Sequence, residues 1–101
     1  MNPAMIKKMQ KMQRDMMKAQ KELEESMFTG VAAGEMVKVE AKGTKEIVSV
    51  NINPGVVDPE DVEMLEDLIL IALNDVFRQI DEKNEETMGQ FTKGMNIPGL
   101  F

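Results

Sequence analysis

The sequence contains no cysteine, histidine, tryptophan or tyrosine, and only four phenylalanines among its 101 residues. Without cysteine there is no disulfide framework, and without cysteine or histidine the usual zinc ligands are missing. General acid–base catalysis most often uses histidine, and serine or threonine nucleophiles need a neighbouring base to activate them. Phosphate-binding loops rich in glycine are also absent, because the seven glycines are scattered at turns. The composition therefore predicts a protein that is not an enzyme and that uses no metal or cofactor.

Long apolar segments are missing as well. The longest apolar run, Leu68 to Leu73, is far too short to cross a bilayer, and the first residues lack the apolar core of a secretory signal. A chain of 101 residues has the usual size of one domain. We therefore expect a single cytoplasmic domain with no membrane partner and no small-molecule substrate.

Charge is unevenly distributed along the chain, whose formal net charge is −6. Residues 1–21 contain six basic residues and one acidic residue, a net charge of +5. The other 80 residues contain six basic and 17 acidic residues, a net charge of −11. This separation predicts a basic arm attached to an acidic body.

The first 28 residues have the pattern of a projecting helix. Asn2 is a suitable N-cap, and Pro3 fits the first turn, where its missing N–H costs nothing. A helix of about 25 residues would be roughly 38 Å long, more than a core of this size needs to cover. One face carries a methionine seam with the heptad spacing of a coiled coil, formed by Met5, Met9, Met12, Met16, Ala19 and Leu23.

The cations of this helix fall on the face opposite the methionine seam. With Met9 and Met16 at heptad position a, the adjacent positions c and f hold a basic stripe formed by Lys7, Lys11, Arg14, Lys18 and Lys21. The stripe is roughly 21 Å long, and duplex DNA presents one negative charge per about 1.7 Å of its axis. Lysine favours phosphate contacts, and glutamine can read an adenine edge. The predicted DNA-binding residues are the stripe and two neighbours: Lys7, Lys8, Lys11, Gln13, Arg14, Lys18 and Lys21.

The middle of the sequence alternates between apolar and polar residues in the manner of β-strands. Residues 36–42 form one alternating run and residues 47–52 another, with a turn at Gly43-Thr44 between them. The stretch from Phe28 to Ala33 is expected to add a shorter first strand. The side chains predicted to face inward are Val37, Val39, Ala41, Val48, Val50 and Ile52.

A second helix is predicted from Asp58, a good N-cap, with Pro59 at the first helical position. Its apolar face is wide enough to cover both the sheet and a neighbouring subunit. Beyond Ile80 the sequence becomes polar, which predicts a second arm. The predicted dimer interface combines this face with the methionine seam and comprises Met9, Met12, Met16, Leu65, Leu68, Ile69, Leu73 and Val76.

These elements predict an α+β fold of two layers in the order α-β-β-β-α, with a three-stranded antiparallel sheet, long projecting helices and a homodimeric state. Within this single domain we expect a basic helical arm at 1–28, the sheet at 29–57, the second helix at 58–88 and a loose C-terminal tail at 89–101.

Two other functions fit the first helix. Methionine-rich surfaces adapt to varied partner helices, so the seam also fits a protein–protein scaffold that captures helices and binds no nucleic acid. A basic amphipathic helix suits an anionic membrane surface too, but the absence of tryptophan disfavours that interpretation. The stripe favours duplex DNA, whose affinity would fall steeply with salt.

Several segments resemble the YbaB/EbfC family of bacterial nucleoid-associated proteins. The segments are Met9-Gln10-Lys11-Met12-Gln13, the run 58–68 that ends in Met64-Leu65-Glu66-Asp67-Leu68, the pair Asn74-Asp75, and the stretch from Gly94 to Phe101. The resemblance implies a homodimer shaped like tweezers, whose arms grip duplex DNA in the nucleoid and influence gene expression.

Carried onto this sequence, the family's gripping surface is the first helix. The second helix contributes less, through Arg78 and Lys83, and Lys42 and Lys45 beside the hairpin turn are expected to make further minor contacts. The second arm departs from this arrangement because its acidic residues would repel phosphate; they are Asp81, Glu82, Glu85 and Glu86.

Overall fold

A computed structural model describes residues 2–92 as two long helices and a three-stranded antiparallel sheet. The order α-β-β-β-α is the predicted one, and its elements are α1 (Pro3–Glu25), β1 (Met27–Ala32), β2 (Val37–Lys42), β3 (Ile47–Ile52), a short 3₁₀ turn (Pro54–Val56) and α2 (Val62–Thr92). The molecule is elongated, with extents of 70 × 27 × 17 Å. The last nine residues of the predicted tail lie outside the described residues.

Helix α1 begins where the sequence indicates and ends earlier than expected. The side chain of Asn2 caps it by accepting a hydrogen bond of 2.9 Å from the N–H of Ala4. At the other end the Ser26 hydroxyl donates to the carbonyl of Glu22 at 2.7 Å. Serine side chains compete in this way with the helical backbone, and Met27 already belongs to β1. The prediction of a helix to about Phe28 is therefore wrong by three residues.

The core lies between the sheet and one face of α2. Val37, Val39 and Ala41 of the central strand β2 are fully buried against α2, where Ala72 and Val76 are equally inaccessible. Gly30 of β1 allows this close packing, because a Cβ there would lie 2.2 Å from the carbonyl oxygen of Ala72. The core is small, and most of its stabilisation comes from apolar area removed from water at this one interface.

Strand β3 is less covered than the sequence suggested. Val50 pairs with Val39 and Ile52 with Val37, so both share the helix-facing side of the sheet. Because α2 packs across β1 and β2, however, Val48 and Val50 remain 44% and 47% exposed. The expectation that both valines are buried within the subunit is wrong, since β3 extends beyond the edge of the covering helix.

The N-terminus of α2 is also displaced from its predicted position. Asp58 forms a turn, accepting from the N–H of Glu60 at 2.9 Å through its side chain. The helical cap is Asp61 instead, whose carboxylate accepts from the N–H of Met64 at 3.2 Å. Both aspartates suit a cap, and the structure uses the second. At the far end α2 continues through Gly89 to Thr92, beyond the predicted residue 88.

Candidate nucleic-acid interface

Helix α1 is attached to the body only near its C-terminal end. Leu23 is the buried residue of this helix, and the turn between β2 and β3 packs directly against it. A Cβ on Gly43 would lie 1.8 Å from the carbonyl oxygen of Leu23, so only glycine fits there. The N–H of Gly43 also donates to the carbonyl of Ser26 at 3.0 Å. These contacts fix the base of α1 and leave its N-terminal part projecting.

The methionine seam divides into a packed half and an exposed half. Near the base, α1 packs against the distal part of α2, where Met16 and Ala19 are half-buried. Ala19 and Leu23 line a shallow cleft there together with Thr87 and Gln90 of α2. Towards the N-terminus the seam is open, with exposed fractions of 57% for Met5, 60% for Met9 and 42% for Met12. The chain's own second helix thus satisfies only half of the seam.

The basic stripe lies on the solvent side of α1. All five members are exposed, and so are the two flanking residues predicted to touch DNA, Lys8 and Gln13. At 1.5 Å per residue the stripe extends along roughly 21 Å of the helix, from the anchored base towards the tip. The structure therefore brings the predicted α1 residues together on one accessible surface.

The cations outside α1 are held in ion pairs with neighbouring acids. Their shortest N···O distances are 3.9 Å for Lys38–Glu35, 3.5 Å for Lys42–Glu46, 2.8 Å for Lys45–Asp81, 2.7 Å for Arg78–Asp75 and 3.7 Å for Lys83–Glu86. Within residues 2–92, none of the six cations of α1 takes part in such a pair. The unneutralised positive charge of the described chain is consequently concentrated on α1.

This pairing bears on the four predicted minor contacts, Lys42, Lys45, Arg78 and Lys83. Arg78 is bound on both sides, by Asp75 and by Glu82 at 2.9 Å. Lys45 lies 5.8 Å from the ring centre of Phe77 in addition to its ion pair. Exposed ion pairs are worth only about 0–1 kcal/mol, so phosphate can displace them, but at a cost that the α1 cations do not have. These four contacts stay predictions, and the pairing ranks them below the basic stripe.

Asp75 and Gln79 perform a role that the sequence analysis missed. Asp75 accepts from the backbone N–H of Val31 at 3.0 Å, and the Gln79 amide donates to the carbonyl of Thr29 at 2.9 Å. The hydrogen bond from Val31 and that from Arg78 hold the pKa of Asp75 below its ordinary value, against a smaller opposing effect of desolvation. The pKa of Arg78 is raised by the same pairing with Asp75 and by Glu82. Both α2 residues therefore bind the outer edge of β1.

The predicted interface residues on α2 occupy different depths. Leu65, Leu68, Ile69 and Leu73 are half-buried, whereas Val76 is completely inaccessible within the core. Val76 therefore offers no surface to a partner while the subunit is folded. Two apolar residues absent from the prediction are open instead, Leu70 at 55% and Ile71 at 54%.

Two further kinds of site were sought among residues 2–92. The carboxylates there form no group of three or more that could hold a metal ion. Neither of the long helices in this part of the chain has a stretch apolar enough to cross a membrane.

Comparison with known proteins connects this architecture to a family. The sequence matches the YbaB/EbfC DNA-binding family over residues 1–95. The chain belongs to this family. It is 62% identical over 97 residues to the nucleoid-associated protein OB0030 of Oceanobacillus iheyensis, covering 96% of this chain and 93% of that protein. It is also 52% identical to the nucleoid-associated protein NT01CX_0824 of Clostridium novyi, covering 96% and 85%.

A solved structure supports the fold of this YbaB/EbfC family member independently. The crystal structure of the uncharacterized protein HP0035 from Helicobacter pylori superposes with a TM-score of 0.71, covering 89% of this chain and 96% of that one. Its sequence identity is 21%, so the likeness concerns the fold alone. The family resemblance found in the sequence and the predicted α-β-β-β-α architecture are thus confirmed.

Proposed function

We propose that this protein is a nucleoid-associated, non-enzymatic DNA-binding protein that grips duplex DNA as a tweezer-like homodimer. The contacts are mainly between phosphates and the basic stripe of α1. The observation that carries this proposal is the contrast in pairing: exposed cations without acidic partners lie along α1, and paired cations lie elsewhere in the described chain.

The physical basis of binding is the release of counterions. Each lysine or arginine that neutralises a phosphate frees a condensed cation into solution, which favours complex formation at low salt. A cation already paired with a carboxylate must first lose that partner, so its net contribution is smaller. Because phosphate contacts carry no base information, the sequence preference of such a complex is modest. A homodimer presents two stripes, which doubles the number of phosphates within reach.

The test compares two triple charge reversals that change the net charge equally. The first, Lys11→Glu, Arg14→Glu and Lys18→Glu, reverses the centre of the basic stripe. The matched control, Lys38→Glu, Lys42→Glu and Lys83→Glu, reverses exposed cations that are already paired. In a gel-shift titration of duplex DNA we expect the first variant to lose binding and the control to keep most of it. Equal losses in both variants would reduce the effect to overall charge and remove the role of the stripe.

The exposed half of the methionine seam supports one other function. Met5, Met9 and Met12 offer an adaptable apolar surface that fits a partner helix. In that case α1 would act as a protein–protein scaffold, and DNA binding by the purified protein would be absent at every salt concentration. Retention of DNA binding after replacing these three methionines with alanine would assign the interaction to the opposite face.

A further inference from the structure

The two outer edges of the sheet differ in how their backbone groups are used. At the edge of β1, the N–H of Val31 and the carbonyl of Thr29 are bound by side chains of α2, as described above. Those two residues are the ones that face away from β2. A further strand therefore finds the hydrogen-bonding groups in the middle of this edge already occupied.

The edge of β3 has no such protection. Thr29 and Val31 point outward from β1 and lie opposite Glu40 and Lys38 of β2. In an antiparallel sheet the direction alternates, so Glu40 and Lys38 bond instead towards β3, where they meet Ser49 and Asn51. Val50, which lies between these two residues, consequently directs its N–H and C=O to the free edge. Among the described residues 2–92, no side chain or backbone group binds them.

The composition of β3 also lacks the features that protect the edge strands of monomeric proteins. Such strands usually carry lysine, proline or another inward-pointing charge that prevents pairing with a second chain. All six residues of β3, Ile47 to Ile52, are uncharged, and none is proline. Val48 and Val50 are exposed beside it, and so is Leu70 on α2.

We propose that β3 pairs with β3 of a second copy of this chain, antiparallel and about a two-fold axis, so that two sheets join into one. The inference rests on the homodimer of the proposed function and specifies how that homodimer forms. In a two-fold pairing, each residue at the axis faces its own equivalent, and like charges placed opposite each other are destabilising. An uncharged strand avoids this penalty, and it offers no charge to a basic or acidic peptide.

The first test introduces a charge at the free edge. Val50→Lys places two ammonium groups close together in the paired strands, and its side chain is open enough to be tolerated within one subunit. In sedimentation equilibrium at micromolar concentration we expect the mass to fall from twice 11.4 kDa to 11.4 kDa. The matched control, Thr29→Lys, alters the protected edge of β1 and should leave the dimer intact. A Val50→Lys protein that keeps the dimer mass would overturn the proposal.

The second test works even if Val50→Lys fails to fold. Because the chain contains no cysteine, single cysteines can be introduced at positions 48, 49, 50 and 51 and oxidised with copper phenanthroline. The residue nearest the two-fold axis should give a covalent dimer in high yield, while Thr29→Cys should stay monomeric on a denaturing gel. Failure of all four positions to cross-link would exclude β3 pairing.

These outcomes separate the inference from the proposed function. A wild-type protein that binds DNA as a dimer but gives no cross-link through β3 keeps the function and loses this interface. A protein that cross-links through β3 but does not bind DNA keeps the interface and loses the function.

Discussion

Helix α1 and the rest of the chain contain the same number of basic residues, six each, yet they present very different surfaces. In the body, the described cations are bound to carboxylates, and the surplus acid gives that region its negative charge. In α1 the cations face solvent without such partners. The comparison shows that a chain with a net charge of −6 can still offer a polyanion a favourable surface. What matters is where the unpaired charge lies, since interactions beyond about 10 Å are screened at 0.1 M salt.

The largest expected effect tests this contrast directly. If the two α1 helices of a homodimer make six to ten phosphate contacts, DNA affinity should fall by about 10³–10⁵-fold between 50 and 200 mM salt. Fluorescence anisotropy titrations across that range would give the slope. The Lys11, Arg14 and Lys18 reversal should flatten it. A wild-type affinity independent of salt would contradict phosphate contact altogether.

A smaller effect separates the two regions by stability. Ile80 is 2% exposed in the core, so Ile80→Ala should lower the free energy of unfolding by about 2–5 kcal/mol. Met9 is 60% exposed, so Met9→Ala should change it by less than about 0.5 kcal/mol. Urea denaturation at a fixed protein concentration measures both. Equal losses would show that Met9 is packed against a partner copy, which would make the exposed seam part of the dimer.

The smallest expected effect concerns the edge of β1. Asp75 has a lowered pKa in the folded protein, so its hydrogen bonds stabilise the fold above the ordinary carboxyl pKa of 3.8 and are lost as pH falls through the folded value. Asp75→Asn should cost about 1–2 kcal/mol at neutral pH, with the difference from wild type vanishing in acid.

The matched control for that edge is Glu82→Gln, which removes an exposed partner of Arg78. Its cost should stay below about 1 kcal/mol because the pair is solvated. Chemical denaturation at several pH values compares the two variants. A pH-independent difference for Asp75→Asn would mean that the amide fails for reasons of shape rather than charge.

Local rules were sufficient for the element order and for the face of α1 that carries charge. The Asn2 cap, the alternating runs at 36–42 and 47–52, and the heptad spacing each depend on neighbouring residues, which the sequence displays directly. The position of the α2 cap was misassigned because Asp58 and Asp61 fit the same rule. Nothing local favours one over the other until the turn between them is built.

The rest depended on tertiary placement. Val48 and Val50 alternate like buried residues, but whether α2 reaches them is decided by how that helix crosses the sheet. Asp75 and Gln79 resemble ordinary solvated residues of a helix, and their partners in β1 lie far away in sequence. Some ion pairs were readable from spacing, such as Arg78 with Glu82 four residues on. The pair Lys45–Asp81 was not.

The attachment of α1 through Leu23 and Gly43 makes the helix a lever. Its 23 residues correspond to roughly 35 Å of rise, so a tilt of about 10° at the base displaces the tip by about 6 Å. That displacement is comparable with the width of a DNA minor groove, about 6 Å. A single substitution beneath the fulcrum can thus retune the span between two gripping helices, with no change to any residue that meets the nucleic acid.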